Sequence, residues 1–195
     1  MASKPKVLGI AGSPRRGGNT DFLLQQAMLG AGKQGAKTKI VVLDELDIAP
    51  CHHCDKCLPT GKCVVEDDMQ WLSQELREAD YLILASPIFF MGVTAQVKAM
   101  IDRCQVLWVI KYVLNLPVAA NSHGERKGLF ISVGGTKLSN LFSPAIATVK
   151  SWFATLDISY AGDLLFSEIE GKGAITKHPT ALQEAFLAGQ KLIRG

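Results

Sequence analysis

Net charge, long apolar runs and repeats are all scarce in this chain of 195 residues. Its formal charge is only +3, and no long basic run concentrates it, so the sequence does not favour nucleic acid or an acidic membrane surface as a partner. No apolar segment reaches the length of a membrane span, and residues 1–6 lack the apolar stretch of a signal peptide. We therefore expect a soluble protein of the cytoplasm, with no nucleic-acid and no membrane partner.

The chain does have enough apolar material for one core. Hydrophobic residues make up 48% of the sequence, which suits a single domain over residues 1–195. Short runs rich in Val, Ile and Leu, largely without polar alternation, are typical of parallel strands that are buried on both faces. The predicted strands are Val7–Ala11, Ile40–Leu43, Tyr81–Ala85, Leu129–Val133 and Ile158–Leu165.

Helical periodicity fills the segments between these strands. Apolar residues recur on one stripe within residues 24–31, 69–79, 93–104, 146–156 and 182–193. Five strands, each followed by a helix with a right-handed crossover, give an α/β fold with a doubly wound parallel sheet of the flavodoxin-like or Rossmann-like type. Ligands of such sheets bind beyond the carboxyl ends of the strands, so we expect a site there.

The turn after the first strand has the composition of a phosphate site. Residues 12–20 read Gly-Ser-Pro-Arg-Arg-Gly-Gly-Asn-Thr and lead into the first helix. The candidate hydrogen-bond donors are Ser13, Asn19 and Thr20, with Arg15 or Arg16 as a source of charge. The spacing matches neither a Walker loop nor G-x-G-x-x-G, which leaves a terminal monophosphate such as that of FMN. The alternative is a polar surface loop with an ordinary helix cap.

Two later loops lie where a flavin ring would need them. Residues 86–92 follow the third predicted strand, and residues 132–136 follow the fourth. Glycine and proline in these loops let the backbone approach a flat ring, and backbone N–H groups there can hydrogen-bond the flavin. Phe89 and Phe90 either pack beside that ring or belong to the core.

Four of the five cysteines are crowded into one irregular segment, residues 44–66. Cys51, Cys54, Cys57 and Cys63 follow the pattern C-x2-C-x2-C-x5-C. Such short gaps favour an iron-sulfur cluster, because a cubane cluster takes one thiolate for each iron. Structural zinc sites more commonly pair two C-x2-C units across a long spacer. Three interpretations stay open: a [4Fe-4S] cluster, a zinc site, or thiols that are empty or linked by disulfides.

Other residues of ligand type are interpreted as structural. His52 and His53 fill a gap in the cysteine pattern and are expected to be exposed loop residues. Cys104 falls on the apolar stripe of the third helix, which favours a buried thiol.

Several motifs, taken together, resemble one known family. They are Gly12–Arg15 with Gly18–Thr20, the four cysteines followed by Glu66–Met69, Ser86–Phe89, and Val93–Gln96 through Ile101–Arg103. This set resembles the NADPH-dependent FMN reductase superfamily, and within it the iron-sulfur flavoproteins. The resemblance implies a flavodoxin-like fold with strand order 2-1-3-4-5. It also implies FMN above the carboxyl ends of the strands, near a dimer interface, and a [4Fe-4S] cluster close to the flavin.

The same resemblance assigns residues to each cofactor. The FMN phosphate would be held by Ser13, Arg15, Gly18, Asn19 and Thr20. The ring would be lined by Pro87, Ile88, Phe89, Phe90, Met91, Gly92, Gly134 and Gly135. The metal ligands would be Cys51, Cys54, Cys57 and Cys63. No catalytic side chain is named, because the cofactor carries the chemistry and the protein positions it.

These features predict an FMN-dependent oxidoreductase that passes electrons between FMN, a [4Fe-4S] cluster and an external partner. Ferredoxin, NAD(P)H, a quinone or an oxygen species is the expected donor or acceptor. One alternative is a cluster-free NAD(P)H-dependent FMN or quinone reductase of the same fold. A more remote one is a non-catalytic electron carrier or a zinc-stabilised binding module.

The third helix also predicts self-association. We expect it to continue through Val106, Leu107, Trp108, Val109 and Ile110. Apolar residues on more than one face of a helix suggest burial against another subunit. The sequence therefore predicts a homodimer or homotetramer.

Overall fold

Five parallel strands form one sheet at the centre of the molecule. The computed structural model describes residues 4–120 and 124–194. The strands are β1 (Lys6–Ala11), β2 (Lys37–Val42), β3 (Tyr81–Pro87), β4 (Lys127–Val133) and β5 (Ser159–Phe166). They pair in parallel in the order β2-β1-β3-β4-β5. The predicted α/β fold, the five strands and their order are confirmed.

The helices begin where the sequence supplies a local reason. They are α1 (Asn19–Lys33), α2 (Met69–Glu78), α3 (Ala95–Arg103), α4 (Gln105–Tyr112), α5 (Ser143–Thr155) and α6 (Ala181–Arg194). The hydroxyl of Thr94 accepts the N–H of Val97 and caps α3. Pro144 lies in the first turn of α5, where its missing N–H costs nothing. His178 Nδ1 accepts the N–H of Ala181 at 3.1 Å, so this histidine serves the start of α6.

The prediction of one long third helix is wrong. Cys104, with φ −70° and ψ 3°, leaves helical geometry and separates α3 from α4. Val106, Leu107 and Val109 are then buried in the core of their own chain. The apolar residues on more than one face of residues 106–110 are therefore explained largely by packing within the chain, and within that range only Trp108 is markedly exposed.

Helices cover both faces of the sheet, which explains why the central strands are apolar throughout. On one face, α1 and α6 bury Leu23, Leu24, Ala185 and Leu192. On the other face, the buried residues of α2 to α5 include Leu72, Met100, Leu107 and Phe153. No helix within residues 4–120 and 124–194 combines the length and the apolar character needed to cross a bilayer.

Candidate functional site

A cavity of about 540 Å³ opens at the carboxyl ends of β1, β3 and β4. Its size falls in the usual range for a small-molecule or cofactor site. The wall consists of Ser13, Pro14, Arg15, Gly18, Asn19, Thr20, Pro87, Ile88, Phe89, Val133, Gly135, Ile169, Glu170 and Lys172. The structure thus brings together all five predicted phosphate residues and four of the eight predicted ring residues.

The turn that follows β1 is held in place by close backbone packing. The Gly12 N–H donates to the carbonyl of Ala85 at 2.8 Å, and the Thr94 hydroxyl donates to the Gly12 carbonyl at 2.6 Å. A Cβ on Gly12 would stand 2.2 Å from Val97 Cγ2, so a side chain does not fit here. The end of β1 is therefore clamped between β3 and α3, which fixes the direction in which residues 13–18 leave the sheet.

The first helix starts without a side-chain cap. Gly18 occupies the cap position and provides no such hydrogen bond. The N–H of Gly17 donates to Asp21 Oδ2 at 2.8 Å, and that of Gly18 to the Arg15 carbonyl at 3.1 Å. Within the described residues, the N–H groups of Asn19 and Thr20 find no acceptor. Open N–H groups at a helix N-terminus suit an anion, and α1 has no side-chain cap; the phosphate site itself stays a prediction.

The three predicted side-chain donors differ in how free they are. Ser13 Oγ is engaged with the backbone of Arg15, whose N–H it accepts at 3.1 Å. Asn19 donates to the Gly171 carbonyl at 2.9 Å and accepts the N–H of Ile175 at 3.1 Å. The buried Thr20 makes no side-chain hydrogen bond within the described part of the chain. Thr20 is therefore the side-chain donor most available to a ligand.

The loop after β5 contributes cavity residues that the sequence analysis did not identify. Ile169, Glu170 and Lys172 all line the wall, and Lys172 Nζ lies 3.9 Å from the point where a Cβ on Gly17 would stand. This loop follows a parallel strand and lies at the same edge of the sheet as the loops after β1, β3 and β4. Its sequence, Glu170-Gly-Lys-Gly173, combines glycine with a cation after a strand, and this pattern could have indicated a loop of the site.

A strained turn stands beside the cavity. Phe89 and Gly92 exchange two backbone hydrogen bonds, of 3.0 and 2.9 Å. Phe90 and Met91 between them have φ of +49° and +64°, a conformation that favours Asn and Gly over bulky residues. Phe89 is half exposed and Phe90 fully exposed. Neither belongs to the core, so that interpretation of the two rings is wrong.

Four predicted ring residues lie outside the cavity wall. Phe90, Met91 and Gly92 form the turn just described, and Gly134 packs beneath Leu141, whose Cδ2 would be 2.6 Å from a Cβ at this position. Their contact with a flavin ring stays a prediction.

All four clustered cysteines line a second, much smaller pocket. Its volume is about 30 Å³, and Arg103, Gln105 and Val106 complete its inner side. His53 and Asp55 take left-handed backbone conformations, with φ of +50° and +57°, and so turn the chain between the cysteines. His52 and His53 are exposed, as predicted.

The cysteine pocket contains the thiols that a sulfur-ligated group needs, but these thiols are not arranged around one point. Burial raises the pKa of the Cys57 thiol, and the nearby Cys63, Cys51 and Cys54 raise it further. Within the described residues, no three His, Cys, Asp or Glu side chains are arranged to hold a metal ion. However, the buried Arg103 Nε has no hydrogen-bond partner in this part of the chain. The pocket thus combines four thiols with the guanidinium of Arg103, which pairs with Asp67 and keeps one buried N–H without an acceptor among the described residues; this donor set suits an anionic iron-sulfur group, which would offer sulfur acceptors.

The fifth cysteine is a buried thiol, as predicted. Trp152 Nε1 donates to Cys104 Sγ at 3.3 Å, and burial raises the pKa of this thiol to about 12. Cys104 therefore stays protonated at neutral pH.

The fold defines a class of protein. The structure superposes with a TM-score of 0.57 on a flavodoxin from the domain Archaea, at 12% identity, covering 97% of this chain and 96% of that one. It also resembles an NAD(P)H:quinone oxidoreductase from Methanothermobacter marburgensis, with a TM-score of 0.69 at 14% identity over 98% of both chains. These likenesses show a flavodoxin-like fold.

The sequence then places the chain within that class. The model of the NADPH-dependent FMN reductase family matches residues 5–154, and the chain belongs to this family. It is 40% identical over 102 residues to an iron-sulfur flavoprotein of Methanocaldococcus jannaschii, covering 52% of this chain and 53% of that protein. It is 30% identical over 158 residues to an iron-sulfur flavoprotein of Methanosarcina thermophila, covering 81% and 78%. The chain thus spans about half the length of the first of these relatives.

Proposed function

We propose that this chain is an FMN-dependent oxidoreductase that passes electrons between FMN, a [4Fe-4S] cluster in the cysteine pocket and an external donor or acceptor. Candidates for that partner are ferredoxin, NAD(P)H, a quinone or an oxygen species. The observation that carries the proposal is the cavity at the carboxyl ends of β1, β3 and β4, into which α1 presents its uncapped N-terminus. Membership of the FMN reductase family supports FMN as the ligand, and the names of the relatives support the cluster.

The residues of the cavity divide into those that would bind the phosphate of FMN and those that would bind its ring. The N–H groups of Asn19 and Thr20 and the Thr20 hydroxyl would hold the phosphate, with positive charge from Arg15 and Lys172. Pro87 to Phe89 and Gly135 would flank the ring, where their backbone fixes its orientation. When bound, FMN supplies the exchange of electrons singly or in pairs.

The cysteine pocket lies at the far end of α3 from the phosphate turn. This helix begins next to Thr94, which is hydrogen-bonded to Gly12, and ends at Arg103 in the pocket wall. Its nine residues span about 13 Å. Cys51, Cys54, Cys57 and Cys63 would ligate the cluster, which exchanges single electrons when bound. One helix would then lie between the phosphate turn of the FMN cavity and the cluster.

The proposal is tested by comparing FMN with riboflavin, which lacks the phosphate. We expect apoprotein to bind FMN at least tenfold more tightly than riboflavin in a fluorescence titration. Thr20→Val removes a hydroxyl donor to a charged group, which is worth about 1.5–3 kcal/mol. It should weaken FMN about tenfold or more and leave riboflavin nearly unchanged. Thr148→Val, on the exposed side of α5, is the matched control. Equal affinity for the two flavins would contradict the proposal.

A specific observation favours a second candidate, a cluster-free NAD(P)H-dependent FMN or quinone reductase. Although the four cysteines share one pocket, the described residues show no three ligands gathered for a metal. This protein would hold FMN but no iron, even after anaerobic reconstitution with iron and sulfide. Iron and acid-labile sulfide assays on the FMN-containing protein distinguish the two candidates.

We also propose that the protein acts as a homodimer or homotetramer in the cytoplasm, where thiols stay reduced. Support comes from one exposed apolar surface at α4 and the residues after it, here called the α4 surface. Its members are Trp108, Tyr112, Val113 and Leu116, each at least 40% exposed.

A further inference from the structure

Arg103 is a buried cation at the junction of α3 and the cysteine pocket. Only 1% of its side chain is exposed. Nη1 donates to Asp67 Oδ2 at 2.5 Å and to the Ala49 carbonyl at 2.8 Å. Nη2 donates to Asp67 Oδ1 at 3.0 Å and to the Val65 carbonyl at 3.4 Å. Ala49 precedes the first clustered cysteine and Val65 follows the last, so one guanidinium ties both ends of the cysteine segment to α3.

The same guanidinium reaches sulfur. Nη2 lies 3.5 Å from Cys63 Sγ, and Arg103 lines the pocket together with all four cysteines. Its Nε is buried and makes no hydrogen bond to any described residue. A buried N–H without an acceptor is costly, and the pocket beside it is lined by thiols. The bonds to Asp67, Ala49 and Val65 account for the placement of the guanidinium, whereas a ligand with sulfur atoms in the pocket would supply the acceptor that the Nε–H lacks.

We propose that Arg103 is a positioning residue that closes the cysteine segment around a sulfur-ligated cluster and raises the reduction potential of that cluster. This inference rests on the proposed function. Hydrogen bonds to sulfur and nearby positive charge stabilise the reduced form, which carries one more negative charge. Arginine suits the role because it stays charged, and because its fork on Asp67 fixes the direction of the remaining N–H groups.

The test is a redox titration of the reconstituted holoprotein. Under anaerobic conditions, dithionite supplies one electron per cluster, and the visible absorbance and EPR signal report the reduced fraction. Arg103→Lys keeps a positive charge but loses the fork and the N–H donors near sulfur. We expect the equilibrium constant for reduction to fall at least tenfold, which is a shift of at least about 59 mV to more negative potential for a one-electron couple. Lys98→Gln removes an exposed cation from the same helix and should change the constant less than twofold.

A second variant keeps the inference testable if Arg103→Lys does not fold. The double substitution Arg103→Met with Asp67→Asn removes both charges of the buried pair, and such replacements are often tolerated. Because the double substitution leaves the net charge unchanged, a downward shift of the reduction potential in this variant would result from the loss of the Arg103 N–H donors. A wild-type potential in the folded variants would overturn this inference alone. Wild-type protein that binds FMN but takes up no iron or sulfide would instead overturn the cluster in the proposed function, and this inference with it.

Discussion

At the scale of single residues, two neighbouring hydrogen-bond donors with similar chemistry have different roles in the structure. Asn19 and Thr20 are adjacent and both are good donors, yet Asn19 is committed to the loop at Gly171 and Ile175, 152 and 156 residues away along the chain. The composition of the turn predicts a phosphate site. It cannot predict which donor remains free, because that depends on a distant loop.

The Asp67–Arg103 pair gives the first residue-scale prediction. Asp67→Asn leaves the buried guanidinium without its counter-charge, and breaking such a pair costs about 3–5 kcal/mol. Urea unfolding at pH 7 should show a loss of this size. Asp102→Asn disrupts the exposed pair with Lys98 and should cost under about 1 kcal/mol. A loss below about 1 kcal/mol for Asp67→Asn would show that the pair does not hold the cysteine segment.

This loss should depend on pH. Burial works to raise the pKa of Asp67, but the hydrogen bonds from Arg103, Ala49 and Met69 outweigh it and hold the pKa below its ordinary value of 3.8. A carboxyl whose pKa is lowered by folding stabilises the protein above the unfolded value and loses that effect as pH falls through the folded one. The difference between wild type and Asp67→Asn should therefore be constant near neutrality and shrink below about pH 3.8.

At the scale of elements, apolar patterns in the sequence predicted the strands and helices better than they predicted where those elements begin and end. The apolar runs gave all five strands, but β2 begins at Lys37 rather than Ile40, because an edge strand tolerates exposed polar residues. The apolar stripe continues across Cys104, so the break between α3 and α4 left no local signal. The Phe90–Met91 turn was equally hidden, since its residues are unlike those usual in such turns. The apolar pattern of the sequence thus predicts strands and helices well, but predicts the breaks and turns between them poorly.

The contact between α1 and α6 gives an element-scale prediction. A Cβ on Gly189 would stand 1.9 Å from the Ala27 carbonyl oxygen, so Gly189→Ala must push the two helices apart. Such overpacking costs about 1–3 kcal/mol. Gly32→Ala, also in a helix, meets no atom closer than 3.9 Å and should be neutral or stabilise by up to about 1 kcal/mol. Urea unfolding of both variants tests this, and equal stabilities would refute the close packing.

At the scale of the whole molecule, the α4 surface is where we expect a second copy to bind. Trp108 and Tyr112 pack with ring centroids 5.5 Å apart and ring planes tilted by 45°, and both are exposed in the single chain. Trp108→Glu should shift sedimentation toward the monomer, because it places a charge in an apolar interface. Trp71→Glu changes another exposed tryptophan, on α2, and should leave assembly unchanged. Wild-type protein that sediments as a monomer at micromolar concentration would refute the prediction.

The most direct measurement is the cofactor content of one anaerobic sample. FMN, iron and acid-labile sulfide are assayed on the same protein after reconstitution with all three. We expect about one FMN, four iron and four sulfide per chain, as a [4Fe-4S] cluster requires. A colourless protein that retains neither flavin nor iron would contradict the assignment of both pockets.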